Sequence, residues 1–334
     1  MPAFDKKYDK QNLHEVISDL PLQFSQALEE TKTKINPQTK KIVFCGLGGS
    51  ALPANILKTF LCADKIDFNI PIKISRDYTL PQPVDKNWCG FFDSYSGNTE
   101  ETLSALKQAE KIGLKQIVVL ANNGQLKKIA QKKGYKFIQI PDTKQPRMSY
   151  GYIVGTMLKI FHNSKIIDLD LDKLKTETQK VYKKNKDLEK QAKTLAKKTQ
   201  NSVPLIYASN IWKYLAMVWK INFNENSKVP AFWNAFPELN HNEMVGFENT
   251  NCQYKNIIIQ DPADHPPIKK RMQTFQKILK NKLNTEIITM PSGSVAYKMF
   301  YSLSLGLWTS YYLALLNKLD PAPVKLVERF KKML

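Results

Sequence analysis

Two short stretches of this 334-residue chain gather glycines and hydroxyls just ahead of a helical pattern: Gly48-Gly49-Ser50 and Ser94-Tyr95-Ser96-Gly97-Asn98-Thr99. Glycine lets the backbone approach a ligand, the first N–H groups of a helix point outward, and hydroxyls add donors. Both stretches therefore suit an anion such as a phosphate. The same residue types also make plain helix caps and turns. Two such loops, contributing the hydroxyls of Ser50, Ser94, Ser96 and Thr99, favour the phosphate reading. Neither is a GxxxxGK[ST] loop. GLGGSA also departs from the dinucleotide fingerprint, because Ala51 stands at the third glycine and the nearest acids at the right distance, Asp64 and Asp67, fall in a loop pattern.

Arg147 is one of only four arginines among 50 basic residues. A planar donor where lysine is the default points to an anionic oxygen, or to an ordinary salt bridge. Asn224–Glu243, NENSKVPAFWNAFPELNHNE, is long for a connection and holds Glu225, Glu238, Glu243 and His241. Long ordered loops are commonly functional. A glutamate with a histidine near it is a minimal kit for moving a proton beside a carbonyl. His241 is equally readable as a hydrogen-bonded structural histidine.

The elements that must hold these residues read as strands alternating with helices. Strands are expected at Lys41–Cys45, Pro71–Ser75, Gly90–Asp93, Gln116–Leu120 and Lys136–Ile140, and again at Val203–Ala208, Asn256–Gln260 and Thr285–Met290. Alternation of this kind predicts parallel sheets covered on both faces. Between the two runs, 167–200 carries apolar residues at helical spacing among many lysines and predicts one long amphipathic helix. Its lysines are interspersed with Asp172, Glu177, Asp187 and Glu189 and have no aromatic platform, as a solvated face requires and a nucleic-acid arm does not.

The net charge is +20. Taken alone it suggests an anionic partner. A surplus made almost wholly of lysine reads instead as a general compositional bias, since arginine is the residue that forks onto phosphates and base edges. The start MPAFDKKYDKQ lacks the apolar core of a secretory signal. The most apolar stretch, Ser302–Leu316, is interrupted by Ser302, Ser304, Thr309 and Ser310 and is too short to span a bilayer. Cys45, Cys62, Cys89 and Cys252 are scattered, which fits a reducing cytoplasm and offers no zinc spacing.

GLGGSA, SYSGNTEET, QPR, NENSKVPAFWNAFPELNHNE and the ending YLALLNKLDP…VERFKKML occur in order from about residue 41 to the C-terminus. Together they resemble the bifunctional phosphoglucose/phosphomannose isomerases. The resemblance implies an α/β chain of two sugar-isomerase (SIS) domains, each a mostly parallel sheet flanked by helices in a flavodoxin-like three-layer arrangement. The expected division is an N-terminal helical segment 1–35, a first SIS domain 36–165, a lysine-rich helical linker 166–200, a second SIS domain 201–320 and a tail 321–334.

It also implies a metal-independent, cofactor-free aldose–ketose isomerisation of glucose 6-phosphate and mannose 6-phosphate to fructose 6-phosphate. Gly49, Ser50, Ser94, Ser96 and Thr99 match the phosphate cradle. Glu225 matches the base that moves a proton between C1 and C2 through a cis-enediol(ate), and Arg147 the guanidinium that stabilises its charge. His241 matches a ring-opening group supplied by the partner subunit of a homodimer. Lys331, with Lys332 beside it, matches a lysine that assists ring opening. The implied partners are a small sugar phosphate and a second copy of the chain, with no nucleic acid and no membrane, in the cytoplasm. The alternatives are a single-specificity SIS isomerase and a non-catalytic sugar-phosphate sensor. Two departures stand out: QPR continues as MSYGY where smaller apolar residues are expected, and Ala208-Ser209-Asn210 lacks the glycines of a binding loop, so the second half is expected to supply Glu225 rather than a second phosphate site.

Overall fold

The computed structural model describes residues 6–250 and 252–333; the first five residues of the predicted 1–35 segment, Asn251 and Leu334 lie outside the described residues. The chain divides into two units, Asp19–Gln179 (the first) and Met1–Ser18 with Lys180–Leu334 (the second). Thus α1 (Leu13–Ser18) belongs to the second unit and α2 (Leu20–Glu30) to the first. The 1–35 segment is shared between them, and so is 166–200.

In the first unit the chain runs β1 (Ile42–Cys45), α3 (Leu52–Ala63), β2 (Ile72–Ser75), β3 (Cys89–Asp93), α4 (Glu100–Lys111), β4 (Gln116–Ala121), α5 (Gly124–Lys133), β5 (Lys136–Gln139), α6 (Tyr150–Asn163) and α7 (Leu171–Lys183), whose last residues pass into the second unit. The sheet order is β2-β1-β3-β4-β5 with every pairing parallel. β1 and β3 are buried at every position, as central strands covered on both faces must be. The order reverses between β1 and β3, so the loops after these two strands diverge and leave a crevice at the carboxyl edge. Those loops are the two hydroxyl-rich ones.

The second unit runs α8 (Asn185–Thr199), β6 (Val203–Ser209), α9 (Lys213–Asn222), β7 (Phe232–Phe236), β8 (Tyr254–Gln260), α10 (Pro266–Leu279), β9 (Asn284–Thr289), α11 (Val295–Leu316) and α12 (Lys325–Lys331). Its four strands are parallel in the order β7-β6-β8-β9, the first sheet's order shortened by one strand. β7 lies inside the stretch that reads in sequence as one long polar connection. α11 is buried along nearly its whole 22-residue length. Two of its hydroxyls are absorbed within the helix, Thr309 donating to the Leu305 carbonyl and Ser310 to that of Leu307. No helix among the described residues is long and apolar enough to cross a membrane.

One expectation is corrected here. The single long helix predicted over 167–200 is two, broken at Lys184. The cause is tertiary. The Asn185 amide donates to the carbonyl and hydroxyl of Ser18, at 2.8 and 3.0 Å, and accepts the Trp308 indole N–H at 3.4 Å. A buried polar side chain satisfied by partners on other segments fixes the joint where periodicity alone sees continuity. Leu188, Ala192 and Leu195 then face inward from α8 while Lys186, Lys190, Lys197 and Lys198 stay in solvent.

Candidate active site

In the first unit the four predicted hydroxyls come together. Ser94 Oγ lies 2.7 Å from Thr99 Oγ1 and 3.5 Å from Ser96 Oγ, and Ser50 Oγ accepts the Tyr95 N–H at 3.2 Å. Thr99 is the N-cap of α4, yet its side chain makes no capping hydrogen bond, and α3 is likewise uncapped by a side chain; the two serines close the turn itself, Ser94 Oγ accepting the Gly97 N–H at 3.1 Å and Ser96 Oγ the Asn98 N–H at 3.3 Å. α4 begins directly after this cluster, at Glu100. Beside it lies a cavity of about 530 Å³ lined by Ser96, Asn98, Asn123, Gly124, Gln125 and Lys128.

Arg147 is buried, 1% exposed, at the end of the next loop, with Nη1 donating to Gln145 Oε1 at 3.2 Å. That loop is fastened to the Ser94–Thr99 loop by one side chain. The Tyr95 hydroxyl donates to Asp142 Oδ1 and accepts the Thr143 N–H, both at 3.0 Å. Hydrogen bonds from the Lys144 side chain and backbone, joined by that from Tyr95, hold the Asp142 carboxyl down at about 2. Gly49 has a packing reason for being glycine as well. A Cβ there would meet the backbone of Pro146 and Arg147 at 2.6–2.8 Å, so the close approach is to the arginine's own loop. Gly97 has φ +69°, and a Cβ there would sit 1.8 Å from the Asn123 carbonyl oxygen, which locks the loops after β3 and β4 together.

In the second unit Glu225 sits in a single turn of π-helix, Phe223–Ser227, that continues α9. Such turns are uncommon and cluster at functional sites. Its neighbours anchor it to α11: Asn226 Nδ2 donates to Ser310 Oγ at 2.9 Å and Ser227 Oγ to the Ser310 carbonyl at 2.6 Å, with Asn226 and Ser227 both fully buried. Lys228, in the left-handed region, donates from Nζ to the Glu225 carbonyl and to that of Pro321. Glu225 opens onto a mostly apolar groove of about 580 Å³, walled also by Leu319, Asp320, Val324 and Leu326. Because α9 returns antiparallel to β6 and β7 then begins level with Leu205, Glu225 lies at the amino edge of this sheet.

His241 is solvent-facing in a 3-10 turn, Glu238–His241, that follows β7 at the opposite, carboxyl edge. Glu243 fastens this turn to the sheet, accepting from the Tyr207 hydroxyl and the Asn234 amide. Lys331 lies in the last turn of α12, a helix with no buried residue, and Lys332 follows it, also exposed.

The carboxyl edge of the second sheet has the same topology as the first unit's crevice but is filled. Lys298 Nζ donates to both oxygens of Asp261 at 2.8 and 3.1 Å, and Trp212 Nε1 donates to the same carboxylate at 3.1 Å, all of them buried. By register, Asp261 occupies the place that Ser94 holds in the first sheet. A carboxylate of the chain stands where an anion would bind. Sequence reasoning missed this plug and the supporting roles of Ser310, Tyr207 and Asn234. The only sequence signal was the missing glycine in Ala208-Ser209-Asn210.

Residues 188–334 match the model of the bacterial phospho-glucose isomerase C-terminal SIS domain. A bifunctional phosphoglucose/phosphomannose isomerase of Caldicellulosiruptor bescii is 37% identical over 96% of this chain and 98% of its own length. A D-glucosamine-6-phosphate 4-epimerase of Sulfolobus acidocaldarius is 31% identical over 77% of this chain and 76% of its own. The crystal structure of a hypothetical protein from Thermus thermophilus superposes with a TM-score of 0.76 at 18% identity, covering 97% of this chain and 91% of that one, which shows a shared fold. With near-complete coverage in both directions at that identity, the chain belongs to the bifunctional phosphoglucose/phosphomannose isomerase family.

Proposed function

We propose that this protein interconverts glucose 6-phosphate and mannose 6-phosphate with fructose 6-phosphate through a cis-enediol(ate), as a cytoplasmic homodimer. The observation that carries the reading is the hydroxyl cluster of Ser50, Ser94, Ser96 and Thr99 at the crevice of the first sheet, in a chain that also holds Glu225 on an anchored π-turn. The reaction requires an anion cradle and a carboxylate base. The first unit carries the former and the second the latter.

Glu225 takes the proton from one of C1 and C2 and returns it to the other; one carboxylate suffices because both carbons lie on one face of a cis-enediol. Arg147 stabilises the oxyanion that forms, an interaction stronger in the transition state than in the ground state. His241 opens the sugar ring and comes from the partner subunit. Its position at the sheet edge opposite Glu225 supports that assignment. Lys331 assists ring opening. Glucose and mannose phosphates differ only at C2, so forming both requires protonation on either face of that carbon.

A coupled assay with glucose 6-phosphate and mannose 6-phosphate supplied separately tests the reading. Fructose 6-phosphate from both is expected. From one alone, the enzyme is a single-specificity isomerase; from neither, the function lies elsewhere, with 4-epimerisation of an amino-sugar phosphate the next assay.

A further inference from the structure

Asp93, the last residue of β3, is fully buried, and neither of its carboxyl oxygens makes a hydrogen bond of normal geometry among the described residues. An unsatisfied buried carboxyl in a native fold calls for a reason. It directly precedes Ser94, and the Ser50 hydroxyl is its polar neighbour. Burial pushes its pKa well above the usual carboxylate range, and the Ser50 hydroxyl only partly offsets this. An ionised carboxylate beneath a phosphate cradle would repel the ligand. It would also pull the Ser50 O–H inward, away from it.

A serine oxygen accepts two hydrogen bonds and donates one. At Ser50 the Tyr95 N–H takes one acceptor position. We infer that Asp93 is a neutral acid whose O–H donates to the second acceptor position of Ser50 Oγ, turning the Ser50 hydroxyl outward as a donor to the substrate phosphate. Asp93 is then a positioning residue acting through Ser50, and this role rests on the phosphate-cradle reading above. A carboxyl that is merely inert filler would leave phosphate binding untouched when replaced by an apolar residue of similar size.

The test uses inorganic phosphate as the probe, titrated calorimetrically into the full-length protein. Ser50→Ala is expected to weaken binding about tenfold, Asp93→Leu by about the same factor, and the double variant no further than Ser50→Ala alone, since coupled partners are non-additive. Asp93→Asn, whose amide also donates, is expected to bind within about twofold of the parent. Saturating kcat of Asp93→Leu should stay near the parent value while KM for glucose 6-phosphate rises. If Asp93→Leu does not fold, Asp93→Asn and infrared spectroscopy decide: the parent should show the C=O stretch of a protonated carboxyl that Asp93→Asn lacks. Normal phosphate binding by Ser50→Ala would overturn the cradle reading and this role with it. A loss with Ser50→Ala that is absent from, or simply additive with, Asp93→Leu would overturn the role of Asp93 alone. So would a tenfold loss with Asp93→Asn, or the absence of the protonated-carboxyl band.

Discussion

Glu225 and His241 stand at opposite edges of one parallel sheet, separated by strand β7, roughly 16 Å of extended chain. Glu225→Gln should cut turnover of glucose 6-phosphate by about 10²–10⁴-fold with KM little changed, the range for loss of a general base. His241→Ala should be slow in ring opening, so a preformed open-chain substrate should recover part of its rate. The two dead variants mixed, unfolded and refolded together should regain about a quarter of the parent activity. In a two-fold dimer with shared sites, half the dimers are hybrids, and each hybrid has one site with both groups intact. No recovery on mixing would place both groups in one chain.

Ser310 touches nothing reactive, yet it accepts from Asn226 and, through its carbonyl, from Ser227. Ser310→Ala removes the first bond and leaves the buried Asn226 amide one partner short, at a cost of about 1–3 kcal/mol. The π-turn should loosen. The expected result is a lower kcat with unchanged phosphate affinity, read from steady-state kinetics beside a phosphate titration.

The parallel sheets and most strands were legible from short apolar runs alternating with helical spacing. β7 was not: its five residues, Phe232–Phe236, lie among prolines and polar residues that read as loop, and it forms because β6 offers an edge to pair with. The hydroxyl cluster was legible because its residues are close in sequence. The tie from Tyr95 to Asp142 and the contact between Gly49 and Arg147 span 47 and 98 positions (142 − 95 and 147 − 49), and no local pattern encodes them. The Asp261–Lys298 plug was invisible for the same reason, spanning 37 positions.

Gly97→Ala would combine a left-handed φ with a Cβ 1.8 Å from a carbonyl oxygen. The loops after β3 and β4 must part to admit it. Overpacking of this kind typically costs about 1–3 kcal/mol, and the strained φ adds about 1–2. A lower melting temperature is expected together with a raised KM, because the displaced loop carries Ser94 and Ser96.

Glu189 should shape the acid limb of stability. Burial opposes its ionisation, but hydrogen bonds from His14 and Tyr312, with Lys193 beside it, outweigh this and hold the carboxyl at about 2. A depressed carboxyl stabilises the fold above its unfolded value, and that contribution is lost as pH falls toward the folded one. Thermal melts of Glu189→Gln and parent should differ by a few degrees near neutrality, and the gap should close as pH falls from about 4.5 to 2. A constant gap would show that packing, not ionisation, is what Glu189 supplies.

Lys298→Met strands the Asp261 carboxylate in the interior. Breaking one side of a buried pair costs about 3–5 kcal/mol, whereas replacing both partners is far milder. Lys298→Met should therefore melt well below Asp261→Asn/Lys298→Met, and both should keep the parent KM at a temperature where they are folded. A raised KM in the double variant would mean that this edge takes part in substrate binding.

The shortened repeat of one strand order makes the same topological address carry two penalties. At the mouth of the first sheet, where Ser94 faces the crevice, a substitution is felt by the ligand and spares the scaffold. At the matching mouth of the second, where Asp261 is closed off by Lys298 and Trp212, it is felt by the scaffold and spares the ligand. A library of random variants sorted first for folding and then for turnover should lose its second-mouth members in the first sort and its first-mouth members in the second.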